Sequence, residues 1–121
     1  MTSTKDYTVR AVHCDYLAED EAVYEALKRA TDPLDRSWAR LSGAKKIMIK
    51  FNQDYDPERS PKFEGERQQL VSDRVARAVL RLLRERTNAE LFCADTTVFN
   101  RDLEDGYRFS TQLSPVLQEF D

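Results

Sequence analysis

The stretch from Lys46 to Asp95 constrains this chain more than any other. A short apolar run, Lys46-Ile-Met-Ile-Lys-Phe51, is followed by a polar stretch, a helical pattern after Ser72, and a second apolar run, Ala89-Glu-Leu-Phe-Cys-Ala-Asp95. The first run is too short for a helix between Gly43 and the polar stretch after it, so it predicts a buried central strand. In the middle segment Val75, Ala78, Val79, Leu82 and Leu83 recur at helical spacing, with Arg74, Arg77, Arg81 and Arg84 on the opposite face and Ser72 placed to cap the first turn. Strand, helix and strand in this order imply a parallel pair with a crossover helix.

Upstream, Tyr7-Thr-Val-Arg-Ala-Val-His13 is β-branched and aromatic and predicts a further strand. Glu19-Asp20-Glu21 then opens a helical pattern through Ala22, Val23, Ala26, Leu27 and Ala30, which Asp32-Pro33 must end. A short helical turn follows around Ser37 to Leu41, stopping at Gly43. Asn52 to about Leu70, broken by Pro57, Pro61 and Gly65, reads as a long loop. Beyond Asp95, a polar turn leads to a weaker helix ending near Phe120. The expected fold is therefore α/β, β-α-β-α-β-α, a small parallel sheet flanked by helices. Residues 1–121 form a single α/β domain or the amino-terminal fragment of a longer one.

Composition narrows the chemistry. A formal net charge of -3, from 19 Lys and Arg against 22 Asp and Glu, gives no global attraction to nucleic acid or to an anionic membrane. Cys14 and Cys93 are far apart, and His13 is the single histidine, so the chain cannot close a zinc or iron–sulfur site by itself. With no apolar leader and no long apolar run, the expectation is a cytoplasmic protein with reduced thiols and no membrane partner. Neither a phosphate-binding glycine loop nor a nucleophile elbow is present.

In an open parallel sheet, ligands bind outside the carboxyl ends of the strands. Those ends supply His13, Cys14 and Asp15 from the first strand, Lys50, Asn52 and Asp54 from the second, and Asp95, Thr96 and Thr97 from the third. Such a rim suits a small anion or a hydrated divalent cation. Lys50 and Asn52 point to the same side of their strand, and a lysine directly after an apolar core strand needs a counter-charge or a ligand. Plainer readings stand beside these. Cys93 is a small buried hydrophobe, Asp95 a turn residue, and the arginine face a solvated surface or a dock for an acidic domain. His13 and Cys14, as consecutive strand residues, point to opposite faces.

The runs Ala44-Lys-Lys-Ile-Met-Ile-Lys-Phe-Asn52, Leu70 through Leu83 and Ala89 to Asp95 together resemble the amino-terminal portion of domain-of-unknown-function family 362. That family shows a strand ending in Lys-Pro-Asn, a loop, a capped helix, and a strand ending in Gly-Asp. Phe51 and Ala94 stand where the family has the Pro and the Gly. On a chain of this kind, the rim at the strand ends is expected to use Lys50 and Asp95 as the reacting pair and Asn52, Asp54 and Thr96 as ligand contacts. Lys50 would hold an anion, Asn52 orient it, and Asp95 act as base or cation ligand. The resemblance implies no particular cofactor, because the family's cysteine-rich cluster segments have no counterpart here. It also implies a longer chain, so a missing domain or second subunit is expected to complete the sheet. The competing expectation is a non-catalytic interaction module that docks through the arginine helix and an open sheet edge. RNA binding through the arginine face is a third and weaker expectation.

Overall fold

Helix α1 (Asp20–Thr31) starts and stops where its charges favour it: Asp20 and Glu21 lie in the first turn, Lys28 and Arg29 in the last, each complementing the helix dipole. The computed structural model describes residues 8–52, 60–95 and 114–120. The Lys28 ammonium contacts the Asp32 carboxylate at 2.7 Å just before Pro33. Helix α2 (Asp35–Ser42) follows and ends at Gly43. Strand β1 (Lys46–Lys50) comes next, then two short strands, β2 (Lys62–Phe63) and β3 (Glu66–Arg67), which pair antiparallel. Glu64 and Gly65 both have positive φ, 49° and 85°, as the tight turn between such strands requires. The long loop expected from Asn52 to Leu70 thus contains a hairpin.

Helix α3 (Asp73–Arg86) is capped as its sequence predicts, with the Val75 amide donating to Ser72 Oγ at 3.3 Å. Strand β4 (Glu90–Ala94) and the short helix α4 (Ser114–Gln118) complete the described elements. β1 and β4 pair in parallel, with Lys46 opposite Glu90, Met48 opposite Phe92 and Lys50 opposite Ala94. The chain is an α/β fold with a small parallel sheet, as expected.

Two elements differ from the sequence reading. Residues 8–15 form no strand: Val9 is 91% exposed, and Arg10 Nε donates to the Ala30 carbonyl at the end of α1. β-branched residues favour a strand only where a neighbouring strand offers a packed surface. β1, expected to be buried on both faces, is buried on one. Ile47 is covered, whereas Lys46, Met48 and Lys50 face outward, and Met48 is 76% exposed.

The reason lies in α3, which is buried on two sides. Ala76 and Leu80 pack with Phe51 and Val116, and Leu83 packs with Ile47 and Ala89 against the sheet. On the other side Ala78 and Leu82 pack with Tyr24 of α1, with Val23, Leu27 and Trp38 around them. The apolar face is therefore wider than the stripe read from the sequence. Val75, assigned to that stripe, is partly exposed, while Ala76 and Leu80 are buried. α1 covers the back of α3 and leaves the outer face of the sheet uncovered by it.

Leu82→Ala should lower unfolding free energy by about 2–5 kcal/mol, because it opens a cavity between helices packed on both sides. Val75→Ala, at a partly exposed position, should cost under about 1 kcal/mol. Urea midpoints at constant m-value measure both.

Candidate functional site

β1 and β4 run side by side, so their carboxyl ends lie together, and the crossover brings the amino end of α3 to the same edge. Here Lys50 and Asp95 meet. Lys50 Nζ lies 2.9 Å from Asp95 Oδ1, with the lysine side chain 62% exposed and the aspartate only 12%. A recessed carboxylate and an outward ammonium make a polar anchor at the strand ends. The lysine keeps donor capacity beyond the aspartate, because an ammonium carries three N–H groups. This is the juxtaposition that the sequence placed there.

Asn52, expected to contact a ligand, has a local task. Its side-chain amide donates to the Gln69 carbonyl, and its own carbonyl accepts from the Val71 amide at 3.0 Å. Gln69 has φ 70°, a left-handed backbone uncommon for a residue other than glycine. Asn52 thus clamps the chain where it turns into α3. Ser60 Oγ donates to the Gln68 carbonyl at 2.9 Å and holds the next residue back. Asp54, Thr96 and Thr97 lie outside the described residues.

Residues 13–15 reach no strand end, since their segment forms no strand. His13 and Cys14 are exposed, and Asp15 Oδ1 accepts the Leu17 amide at 2.8 Å in a local turn. Cys93 is half-buried, and burial raises its thiol pKa. No group of three His, Cys, Asp or Glu side chains among the described residues is arranged to hold a metal ion. No helix among them is long and apolar enough to cross a membrane.

The arginine face has its acidic partner within the chain. Arg77 binds Glu119 through two bonds of 2.8 and 2.9 Å and reaches Asp20 at 2.8 Å. Arg81 binds Glu21 at 2.7 Å and Glu85 at 3.0 Å, and its guanidinium lies 3.6 Å from the centre of the Tyr24 ring. Arg74 pairs with Glu66 and donates to the Ala18 carbonyl. Arg86 pairs with Asp32 and lies 4.3 Å from the centre of the Trp38 ring. The guanidinium groups of Arg77 and Arg81 are raised by these partners beyond their already high range. The carboxyls of Asp32, Glu85 and Glu119 are lowered, chiefly by hydrogen bonds from Lys28, Tyr24 and Arg77 respectively. Tyr24 is raised, chiefly because its hydroxyl donates to Glu85 at 2.6 Å.

The sequence reading did not single out the outer face of the sheet, where Met48 and Phe92 stand side by side. Lysines at both ends of β1, two and four residues from Met48 and each other by strand alternation, carried the signal that this face is not a core face.

No family model matches this chain, and neither a curated protein nor a solved structure does.

The lowered carboxyls set the acid limb of stability. A carboxyl whose folded pKa is depressed stabilises the fold above its unfolded pKa, and that contribution disappears as pH falls through the folded value. The melting temperature should fall as pH drops below the ordinary carboxylate range, near 4. Glu119→Gln combined with Asp32→Asn should lower the melting temperature at neutral pH and flatten that limb, as a thermal-melt series across pH will read.

Proposed function

We propose that this chain is a protein-interaction module that pairs with a second copy of itself through the outer face of its two-stranded sheet. The observation that carries the reading is the exposed pair Met48 and Phe92, 76% and 39% exposed, at the centre of a parallel sheet. Parallel sheets are ordinarily covered on both faces. The arginines do not supply the docking surface, because Arg74, Arg77, Arg81 and Arg86 are already bound to carboxylates of the chain.

Charge selects the occupant. On this face β1 presents Lys46 and Lys50, while β4 presents Glu90, which pairs with Lys46 at 3.4 Å. A two-fold axis running along the strands, between two stacked sheets, lays the basic strand of each copy over the acidic strand of the other. Lys46 then faces Glu90 of the second copy, and Met48 faces its Phe92. Such an interface is isologous and self-complementary. The patch is small. At ~3.3 Å per residue and ~4.8 Å between strands it covers on the order of 200 Å², far below the ~800 Å² per partner of a standard interface. Association through this face is therefore weak and concentration-dependent.

Sedimentation velocity from micromolar to millimolar protein should show a rising dimer fraction. Met48→Glu should hold the chain monomeric without moving its melting temperature by more than a degree or two. A wild-type chain that stays monomeric across that range overturns the reading.

A second reading rests on Lys50. Its exposed ammonium beside the recessed Asp95 supports the anion site expected at the strand-end rim, in which Lys50 holds a small anion. Inorganic phosphate should then raise the melting temperature of the wild type and not of Lys50→Ala, with sodium chloride at matched ionic strength as control. Equal shifts for the two proteins would remove this site.

A further inference from the structure

The inner side of β4, opposite the face discussed above, borders a cleft between α3 and α4. It is lined by Leu80, Arg84, Leu91, Cys93, Leu117 and Phe120, with a volume of about 140 Å³. Leu80, Leu91, Leu117 and Phe120 supply its apolar wall and Arg84 its charge. The bonding of Arg84 differs from that of its neighbours on α3. Arg74, Arg77, Arg81 and Arg86 each hold a carboxylate, whereas Arg84 forms no ion pair among the described residues. Its guanidinium donates only to the Ala89 and Phe120 carbonyls, at 3.4 and 3.2 Å. These lie at or beyond the long end of N–H···O bonds, so the fork is poorly satisfied by its neutral acceptors.

We infer that this cleft binds a small apolar monocarboxylate of benzoate size, its ring or short chain against Leu80, Leu91, Leu117 and Phe120 and its carboxylate on Arg84. Volume and charge decide the class. An enclosed apolar cavity of ~150 Å³ accommodates benzene, so a cleft of about 140 Å³ has room for one ring or a chain of similar bulk. A planar carboxylate matches the guanidinium fork, which donates two parallel N–H bonds to such a group. The last turn of α3 carries the partial negative charge of the helix end, and the full charge of Arg84 outweighs it at contact. A neutral ligand of the same shape lacks this bond. Cys93 lines the cleft, so its alkylation reports on whether the cleft is occupied.

The inference is independent of the sheet-face dimer, because Cys93 and Phe92 alternate to opposite faces of β4. The test uses the full chain with Cys14→Ser, so that iodoacetamide reads Cys93 alone. Benzoate should slow alkylation at least threefold and saturably, with sodium chloride at equal ionic strength as control. Benzyl alcohol at the same concentration should protect much less. Arg84→Gln should abolish the benzoate effect and Arg84→Lys retain part of it, each variant being checked for folding by circular dichroism. Absence of protection by benzoate overturns the proposal, as does equal protection by benzyl alcohol. If Arg84→Gln unfolds, the comparison of benzoate with benzyl alcohol in the Cys14→Ser chain still decides.

Discussion

Burial of α3 on two sides is the constraint from which the rest of the arrangement follows. A helix whose Ala76, Leu80 and Leu83 meet the sheet side, and whose Ala78 and Leu82 meet α1, has little surface left for its charges. Its arginines solve this by length. Their hydrocarbon stems run along the apolar packing and their guanidinium heads reach carboxylates at the margins, as long cationic side chains do. Arg77 links Asp20 at the start of α1 with Glu119 beyond α4, so one side chain ties the first helix and the last described residues to the middle of the fold. Arg81 and Arg86 add flat contacts over Tyr24 and Trp38, which join α1 and α2 to α3. Exposed ion pairs contribute little individually, typically ~0–1 kcal/mol. Their effect here is to fix where α1 sits.

Where α1 sits decides what the sheet can do. A sheet covered on both faces leaves only its rim for recognition, but here the second face has no helix from α1. The strands then acquire two chemically different sides. Outward stand Lys46, Met48, Lys50, Glu90 and Phe92, a mixed-charge surface around an apolar pair; inward stand Ile47, Ile49, Leu91 and Cys93, which pack toward α3. Strand alternation alone separates an exposed mixed surface from the cleft beside α3 across the thickness of one strand.

The strand-helix-strand unit was legible because each of its signals is local. Gly43 stops α2, Ser72 caps α3, and two short apolar runs can only be strands at that length. The meeting of Lys50 with Asp95 was legible as well, since parallel topology alone brings those ends together. What failed depended on partners distant in sequence. Residues 8–15 have strand propensity but form no strand. The hairpin at Glu64 and Gly65 escaped notice because one glycine in a polar stretch reads as a breaker, and only positive φ at both turn positions reveals the turn. Helical spacing gave α3 one apolar stripe, but alanine is small enough to sit in a stripe or between two helices. Ala78 was read into that stripe, whereas the buried Ala76 and Leu80 lie on the other side of the helix and outside it.

The residues behind the family resemblance do more architectural work than their spacing suggests. Asn52 holds the left-handed Gln69 and the Val71 amide, and so fixes the entry to α3 that Ser72 then caps. Asp95 is recessed and lies against Lys50 at the end of the neighbouring strand, so it closes the same crossover from its far side. A strand ending in Lys-x-Asn, a capped helix and a strand ending in Asp is thus a self-consistent way to build a parallel crossover, whatever binds to it. The Lys50 side chain turns most of its surface outward, unlike Asp95 beside it. Any chemistry at the strand ends begins with that cation, which the Asp95 carboxylate positions while the Asn52 amide holds the chain that enters α3.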